Sequence, residues 1–303
     1  MQSRRPQDDF IELFQHMTDG PDTQGKAIML MVGAILFFTL MDASVKALTP
    51  RFGVIPSLWA RYGGQMLLVF VLVLPRLHRV VRTKYPVLQF LRSLLLMGAT
   101  GFFFLALSLI PLTDATALMS VNPVLITLGA ALFLHEPLGP RRIVGIVVAM
   151  CGALIIIRPG SSVFSLASLY PLAAACCYTG YALLTRKVGP DEDVWTSLFY
   201  TGLVGTVIMS LVAPPYAQMP DAISWGLIAM VAGFGTIAQM LLIRAFTMGQ
   251  ASMLAPYAYC GLGFAAVWGA VFFGELPDIW TICGALVIAG AGLYVWHRET
   301  KTS

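Results

Sequence analysis

Asp42 and Lys46 are two charged residues within one long apolar stretch, and they stand four positions apart. On a helix this spacing places both side chains on one face. A charge at the centre of a bilayer costs about 3 kcal/mol, so such residues are retained for a partner or for a function. Two interpretations follow. The pair neutralises itself as an ion pair, or it forms a gate or ligand contact in which Asp42 exchanges a proton.

Arg61 lies early in the next apolar stretch, two residues after Trp59. The planar guanidinium has five donors that match the geometry of a carboxylate or a phosphate. We therefore expect Arg61 to reach Asp42 or an anionic group of a substrate. In the alternative interpretation, Arg61 extends to the membrane surface and Trp59 is an interfacial anchor.

Two prolines interrupt apolar stretches in corresponding parts of the chain: Pro123, after Asn122, and Pro256, before Tyr257 and Tyr259. Proline removes a backbone donor and clashes with the preceding helical turn. At membrane depth the freed carbonyls are tolerated where they face a cavity or another helix. A pair of interrupted helices in two halves predicts a binding site, although a structural kink would also explain each proline.

Several aromatic and amide side chains complete a predicted cavity. Aromatic faces with a few hydrogen-bonding groups favour a planar or amphipathic organic solute over a bare ion. The predicted substrate-binding or gating residues are Asp42, Lys46, Arg61, Asn122, Tyr178, Tyr181, Gln239, Tyr257 and Tyr259.

The sequence lacks the patterns expected of an enzyme or an ATP-driven motor. It contains no phosphate-binding glycine loop followed by lysine, no metal-ligand spacing and no plausible nucleophile–histidine–acid set. We therefore predict no catalytic residue, no metal and no cofactor. Glu136 and Glu275 stand at the ends of apolar stretches and are followed by proline, so we interpret them as capping groups, with gating as the alternative.

Ten apolar stretches must position these residues. The chain is 58% hydrophobic and only 11% charged, and a spanning helix needs about 20 mainly apolar residues. We therefore predict an all-α integral membrane protein. The ten predicted transmembrane helices are Ala27–Ala47, Leu58–Leu74, Leu91–Ile110, Ala115–Leu134, Ile143–Ile157, Leu166–Leu184, Trp195–Val212, Trp225–Phe246, Ser252–Phe273 and Trp280–Trp296.

The basic residues predict the orientation. If the N-terminus is cytoplasmic, 15 of the 19 lysines and arginines fall on the cytoplasmic side, as the positive-inside rule requires. We predict a multi-pass protein of the bacterial inner membrane with both termini in the cytoplasm. The basic residues form no run interleaved with aromatics, so no nucleic-acid partner is expected.

The two halves of the chain resemble each other at a shift of 139 residues, as from Glu136 to Glu275 and from Gly145 to Gly284. Five helices per half is an odd number, so the second half must enter the membrane from the opposite side. The predicted organisation is a cytoplasmic tail over 1–26, repeats over 27–160 and 161–298, and a second tail over 299–303. Inverted repeats are typical of secondary transporters.

The chain resembles the EamA-type members of the drug/metabolite transporter superfamily. The residues that carry the resemblance are Phe38–Lys46, Trp59–Arg61, Asn122–Pro123, Phe133–Leu138, Ala255–Tyr259 and Phe273–Pro277. The resemblance implies a ten-helix bundle whose cavity is lined mainly by the first, third, fourth, sixth, eighth and ninth helices. It implies that the fifth and tenth helices pack at the back.

Within that superfamily, Asp42, Lys46 and Arg61 are similar to the branch that contains bacterial riboflavin and S-adenosylmethionine importers. We therefore expect a secondary transporter of a small organic metabolite in the lipid bilayer, with riboflavin uptake as the specific hypothesis. An exporter of amino acids or amine-type metabolites is the alternative, and a non-transporting membrane scaffold or lipid-carrier partner is another. Small residues such as Gly145 and Ala149 permit close helix approach, which could also form a homodimer contact.

Overall fold

The computed structural model describes residues 23–122, 124–126, 128–129, 140–158, 165–216, 219–248 and 254–300. Every regular element in these ranges is helical. The longer helices are α1 (Thr23–Phe52), α2 (Val54–Val73), α3 (Pro86–Leu107), α4 (Leu112–Met119), α5 (Pro140–Ile157), α6 (Leu169–Val188), α7 (Val194–Val212), α8 (Ala222–Met248), α9 (Cys260–Phe273) and α10 (Ile279–Thr300). The predicted all-α fold is confirmed.

The helices have the composition of membrane spans. Six of them, α1, α2, α3, α6, α7 and α8, are long and apolar enough to cross a bilayer, and the apolar parts of α4, α5, α9 and α10 are shorter. Large apolar side chains such as Leu67, Leu211 and Leu286 lie on outward faces and are mostly exposed. Outward apolar faces on helices that satisfy their own backbone hydrogen bonds suit a lipid environment.

Two glycines set the turns next to the candidate site. Gly53 has a φ of 83° and separates α1 from α2 with a single residue. Gly274 has a φ of 65° and ends α9, and the following amide of Glu275 bonds to the carbonyl of Gly269 at 3.0 Å. Positive φ angles are accessible to glycine at little cost. The second turn fixes the direction in which the Glu275 side chain leaves the backbone.

Contacts between the two five-helix halves are symmetric: if each helix is replaced by its equivalent in the other half, the same pairs of helices remain in contact. We call this exchange symmetry. The pair α1–α8 has its counterpart in α6–α3, the pair α2–α8 in α7–α3, and the pair α1–α9 in α6–α4. The pairs α2–α7, α4–α9 and α5–α10 are their own counterparts. This pairing is the one that an inverted repeat predicts, because each helix meets the same neighbours when the halves exchange roles.

Two apolar clusters fill the ends of the bundle. We call the end with the α1–α2 turn the Gly53 end and the end with the α2–α3 connection the Tyr85 end. One cluster, including Leu48 and Leu112, lies toward the Gly53 end, and another, including Met31 and Leu254, lies toward the Tyr85 end. Phe38 packs against both clusters, so the polar residues near Phe38 lie between the two apolar clusters.

The helices α5 and α10 pack closely on each other. A Cβ added to Gly284 would lie 2.7 Å from the carbonyl oxygen of Gly152, so only glycine permits this approach. Gly284 therefore has a packing role within the chain. The homodimer contact stays a prediction.

Candidate functional site

Asp42 lies on α1 with only 8% of its surface exposed. No described residue donates a hydrogen bond to its carboxylate or lies within the 4.0 Å of an ion pair. Arg61 of α2 lies near it, because Gly235 of α8 contacts both the Arg61 guanidinium and Met41, the residue before Asp42. Asp42 is therefore a buried acid with a positive charge nearby and unused hydrogen-bonding capacity.

Arg61 is buried inside the bundle, with 1% exposure, so it does not extend to the membrane surface. Its Nη1 donates to Gln65 Oε1 at 3.2 Å, and its Nε has no acceptor among the described residues. The guanidinium lies against Gly235 of α8, where a Cβ would stand 3.7 Å from Arg61 Cζ and 2.9 Å from Met41 Sδ. Gly235 thus lets the guanidinium and the Asp42 segment of α1 meet.

The polar face of α2 fixes the position of Arg61. Gln65 is fully buried and donates to the carbonyl of Leu198 on α7 at 3.2 Å. The hydroxyl of Tyr62 donates to Thr100 on α3 at 3.0 Å, and the Tyr62 ring lies 5.1 Å from Arg61 Cζ. These contacts hold α2 against both neighbours and aim Arg61 at the interior.

Lys46 does not pair with Asp42, so the interpretation of a self-neutralising pair is wrong for this structure. Its Nζ contacts Glu275 Oε1 at 3.1 Å and donates to the carbonyl of Ile110 at 3.0 Å, and it lies 5.6 Å from the centre of the Phe273 ring. The flexible lysine stem reaches toward the Gly53 end, where these three groups offer better partners than a residue one turn away.

Glu275 joins three elements at the Gly53 end. One carboxylate oxygen contacts Lys46 of α1, and the other accepts the backbone amide of Leu112 at 3.2 Å, which caps the start of α4 from outside that helix. The sequence-based interpretation as a capping group agrees with this geometry, and the contact with α1 also fits the gating alternative. Glu136 lies outside the described residues.

A second set of polar contacts connects α4, α10 and the end of α5 at the Gly53 end. Asp114 of α4 accepts from Thr281 of α10 at 2.7 Å, and Asp278 caps α10 by accepting the Thr281 amide at 2.7 Å. Arg158 forms an ion pair with Asp278. Partial burial favours a higher pKa for Asp278, which lies outside the spans, but the Thr281 amide and the Arg158 guanidinium together hold this pKa below its usual value.

Tyr181 and Gln239 belong to a second buried network, which is built around Arg92. Arg92 is fully buried; its Nε donates to Thr185 Oγ1 at 2.7 Å, and its Nη1 donates to Gln89 Oε1 at 2.8 Å. Its Nη2 donates to the Tyr181 hydroxyl at 3.4 Å, and Gln239 also donates to that hydroxyl. The network joins α3, α6 and α8 near the Tyr85 end.

The structure brings some of the other predicted residues together. The Tyr178 ring lies 5.6 Å from the Tyr181 ring, and Tyr178 and Tyr257 pack against the same apolar cluster. Asn122 is partly buried and its Oδ1 has no partner among the described residues. Tyr178 and Tyr257 therefore lie near Tyr181, toward the Tyr85 end of the bundle.

Tyr259 lies apart from this group. Its hydroxyl stands 1.8 Å from the position of a Cβ on Gly292, so the side chain packs on α10 with Ile288 and Leu262. Its hydroxyl has no partner in the described part of the chain. The sequence-based prediction that Tyr259 belongs to the central site is therefore corrected: in this structure Tyr259 lies outside that site.

The predicted interruptions fall near helix starts and ends. Pro256 lies in the 3₁₀ helix Ala255–Tyr259, and α9 begins only at Cys260. The helix α4 ends at Met119, with turn residues at Ser120 and Val121. Pro123 lies outside the described residues.

The sequence profile of the EamA-like transporter family matches residues 25–158 and again residues 165–296. The chain belongs to this family. The resemblance seen in the sequence is thereby confirmed, and so is the prediction of a multi-pass membrane protein. The two matches fall on α1–α5 and α6–α10.

Characterised relatives of this EamA protein are transporters of different solutes. A riboflavin transporter of Brucella anthropi is 28% identical over 90% of this chain and 99% of its own length. An S-adenosylmethionine uptake transporter of Rickettsia bellii is 29% identical over 73% of this chain and 76% of its own. A pseudopaline exporter of Pseudomonas aeruginosa is 29% identical over 89% and 95%.

One solved crystal structure shares the fold. It aligns with a TM-score of 0.65 at 19% identity, covering 92% of this chain and 99% of the other. At this identity the likeness concerns the fold alone.

Sequence reasoning on this EamA protein missed three buried polar residues, Gln65, Gln89 and Arg92. The third predicted helix starts at Leu91, and this start would place Arg92 at the membrane surface. In the structure α3 begins earlier, at Pro86, so Arg92 lies more than one turn inside the helix. Pro86 was the signal in the sequence for this earlier start, because proline is common at the first position of a helix.

Proposed function

We propose that this chain is a secondary transporter that moves a small organic metabolite across the bacterial inner membrane by alternating access. Both termini would be cytoplasmic, which places the Gly53 end outside. The family and the transporter relatives support the general activity, and the distribution of basic residues supports the orientation.

The observation that carries this proposal is the exchange-symmetric helix pairing. Each half of the bundle can adopt the arrangement of the other with the same neighbours, and that exchange is how an inverted repeat opens first one end and then the other. The ion pair of Lys46 with Glu275 has no copy at the repeat-equivalent position, because Thr185 replaces the lysine there. Opening the Gly53 end would require that this ion pair separates.

The relatives support several substrates. Riboflavin uptake is supported by riboflavin transporters of Brucella anthropi and Vibrio cholerae, the latter 29% identical, and by the tyrosine rings at 178 and 181, which suit a flat ring system. Export of an amino acid or amine-type metabolite is the second candidate. The buried Asp42 and Arg61, charges that riboflavin would not use, favour it.

The direct test uses the purified full-length protein in sealed liposomes. Uptake of labelled riboflavin or S-adenosylmethionine, measured with and without proton and sodium gradients, separates a transporter from a scaffold or lipid-carrier partner. Rescue of a riboflavin-auxotrophic bacterium that lacks its own importer would establish riboflavin import in cells. A failure of the purified protein to move any solute of the family's relatives, in either direction, would overturn the proposal.

A further inference from the structure

We propose that Asp42 and Arg61 together bind one zwitterionic head group, an ammonium group on Asp42 and a carboxylate on Arg61. The substrate would then be a metabolite with an α-amino acid group. This inference rests on the proposed transport function and names its substrate class.

The two residues are charged, buried and incompletely satisfied. A buried charge is costly unless it is paired and hydrogen-bonded. The carboxylate of Asp42 accepts no hydrogen bond from the described residues, and Arg61 Nε has no acceptor there. Gly235 of α8 contacts both the Arg61 guanidinium and Met41, the residue before Asp42, so the two charged groups lie in one region of the bundle, yet they form no ion pair. A ligand that carries both complementary charges would satisfy both residues at once.

Other charges near the site are already committed. Three charged side chains are buried in the described residues: Asp42, Arg61 and Arg92. Each nitrogen of Arg92 already donates to a neutral acceptor. Lys46 is held by Glu275 and the carbonyl of Ile110. Among the three charged residues that are buried in the described part of the chain, only Asp42 and Arg61 thus combine opposite charges with unused hydrogen-bonding capacity.

The surroundings of Asp42 suit the rest of such a metabolite. One turn before Asp42, Phe38 lies between the two apolar clusters, and Thr39 accepts from the indole of Trp268 at 3.2 Å. The zwitterion would therefore meet the charges while its side chain packs against aromatic surface. A solute with one charge or none would leave Asp42 or Arg61 unsatisfied.

The test compares ligands on the unaltered protein first. The detergent-purified full-length chain is titrated with S-adenosylmethionine and the twenty standard amino acids, and binding is followed by thermal shift and calorimetry. For each zwitterion that binds, the methyl ester and the N-acetyl derivative are then measured. Each derivative removes one charge-assisted contact, so we expect about 10- to 100-fold weaker binding for each.

Variants then assign each charge to a residue. In Asp42→Asn the zwitterion should bind about 10- to 100-fold more weakly, and N-acetylation should cause little further loss because its contact is already gone. In Arg61→Gln the same should hold for esterification. The matched controls are Asp221→Asn and Arg51→Gln, which break an exposed ion pair of 3.3 Å at the Gly53 end, and neither should change binding.

The outcomes are distinct from those of the proposed function. Binding of no zwitterion in the panel would overturn this inference, and so would esters and N-acetyl derivatives that bind as well as their parents. Should a variant fail to fold, the ligand series on the unaltered protein decides alone. Transport of riboflavin that is unaffected by Asp42→Asn would remove the zwitterion site and keep the transporter, whereas an absence of transport for all solutes would remove the transporter itself.

Discussion

Two buried arginines, Arg61 and Arg92, lie near repeat-equivalent positions of this bundle and differ in their hydrogen bonds. Asp42 and Tyr181 stand 139 residues apart in the two halves, and each lies near an arginine. Arg92 donates from each of its nitrogens to neutral acceptors on three helices. Among the residues that the structure describes, Arg61 donates only to Gln65, and it forms no ion pair with Asp42.

The difference indicates different roles. A buried charge that is saturated with hydrogen bonds holds helices together, since removal of any partner leaves an unsatisfied group. A buried pair of charges left apart stabilises the fold little, and it persists where function requires it. We therefore assign Arg92 to the structure of the bundle and Arg61 to the solute.

Replacement of Arg92 with methionine should have the largest effect on stability. It removes hydrogen bonds to Thr185, Gln89 and Tyr181 and leaves buried acceptors unsatisfied, so we expect a loss of about 3 kcal/mol in the free energy of unfolding. Thermal and denaturant unfolding in detergent measure it. Arg61→Met is the matched variant and should lose about 1 kcal/mol or less, because within the described residues Arg61 donates a single hydrogen bond, to Gln65. Equal losses for the two variants would contradict the comparison.

Asp42→Asn should reduce transport without reducing stability. The carboxylate makes no hydrogen bond with the described residues, so the amide costs the fold little. Loss of a charged contact to the solute is worth about 1.5–3 kcal/mol, which corresponds to a tenfold or greater loss of uptake. Initial uptake rates in liposomes and unfolding temperatures of the same preparation give both quantities. Unchanged uptake, or an unfolding temperature that falls as far as in Arg92→Met, would refute the assignment.

Lys46→Met should shift the bundle toward opening of the Gly53 end. The ion pair with Glu275 is half-buried, with side-chain exposures of 12% and 27%, and is worth about 1 kcal/mol, a roughly fivefold shift between states. A single cysteine at position 113, in a chain whose native cysteines are replaced, reports opening through its rate of maleimide labelling. Arg51→Met, which breaks the exposed pair with Asp221, should leave that rate unchanged. Equal rates in all three chains would show that Lys46 does not hold this end shut.

The sequence predicted the fold well because a bilayer limits the possible elements. Apolar runs that exclude charge must become helices, and the repeated Glu136 and Glu275 elements indicated two halves. The starts of helices were harder to predict. The helix α3 extends past its apolar run to Pro86, and this extension carries Arg92 from the membrane surface into the interior.

The candidate site was predictable in its residues and less so in their partners. Polarity at membrane depth identified Asp42, Arg61, Tyr181 and Gln239. The partner of Lys46 is 229 residues away, and only the packing of α9 against α1 brings it near. Tyr259 was misplaced because the segment before α9 is a 3₁₀ helix, in which side chains advance by a different angle per residue than in an α-helix.

Gly235→Ala should have the smallest effect of these variants. It tests whether contact with α8 positions the Arg61 guanidinium. The added Cβ would press on Met41 Sδ at 2.9 Å and touch Arg61 Cζ at 3.7 Å. The methionine can yield, and alanine favours the helix by about 1 kcal/mol, so stability should change little while a displaced guanidinium lowers uptake about twofold, equivalent to roughly 0.4 kcal/mol. Gly233→Ala is the control, since its Cβ would meet nothing within 4 Å. It should stabilise the helix and leave uptake unchanged, and identical behaviour of the two variants would show that contact with α8 does not position Arg61.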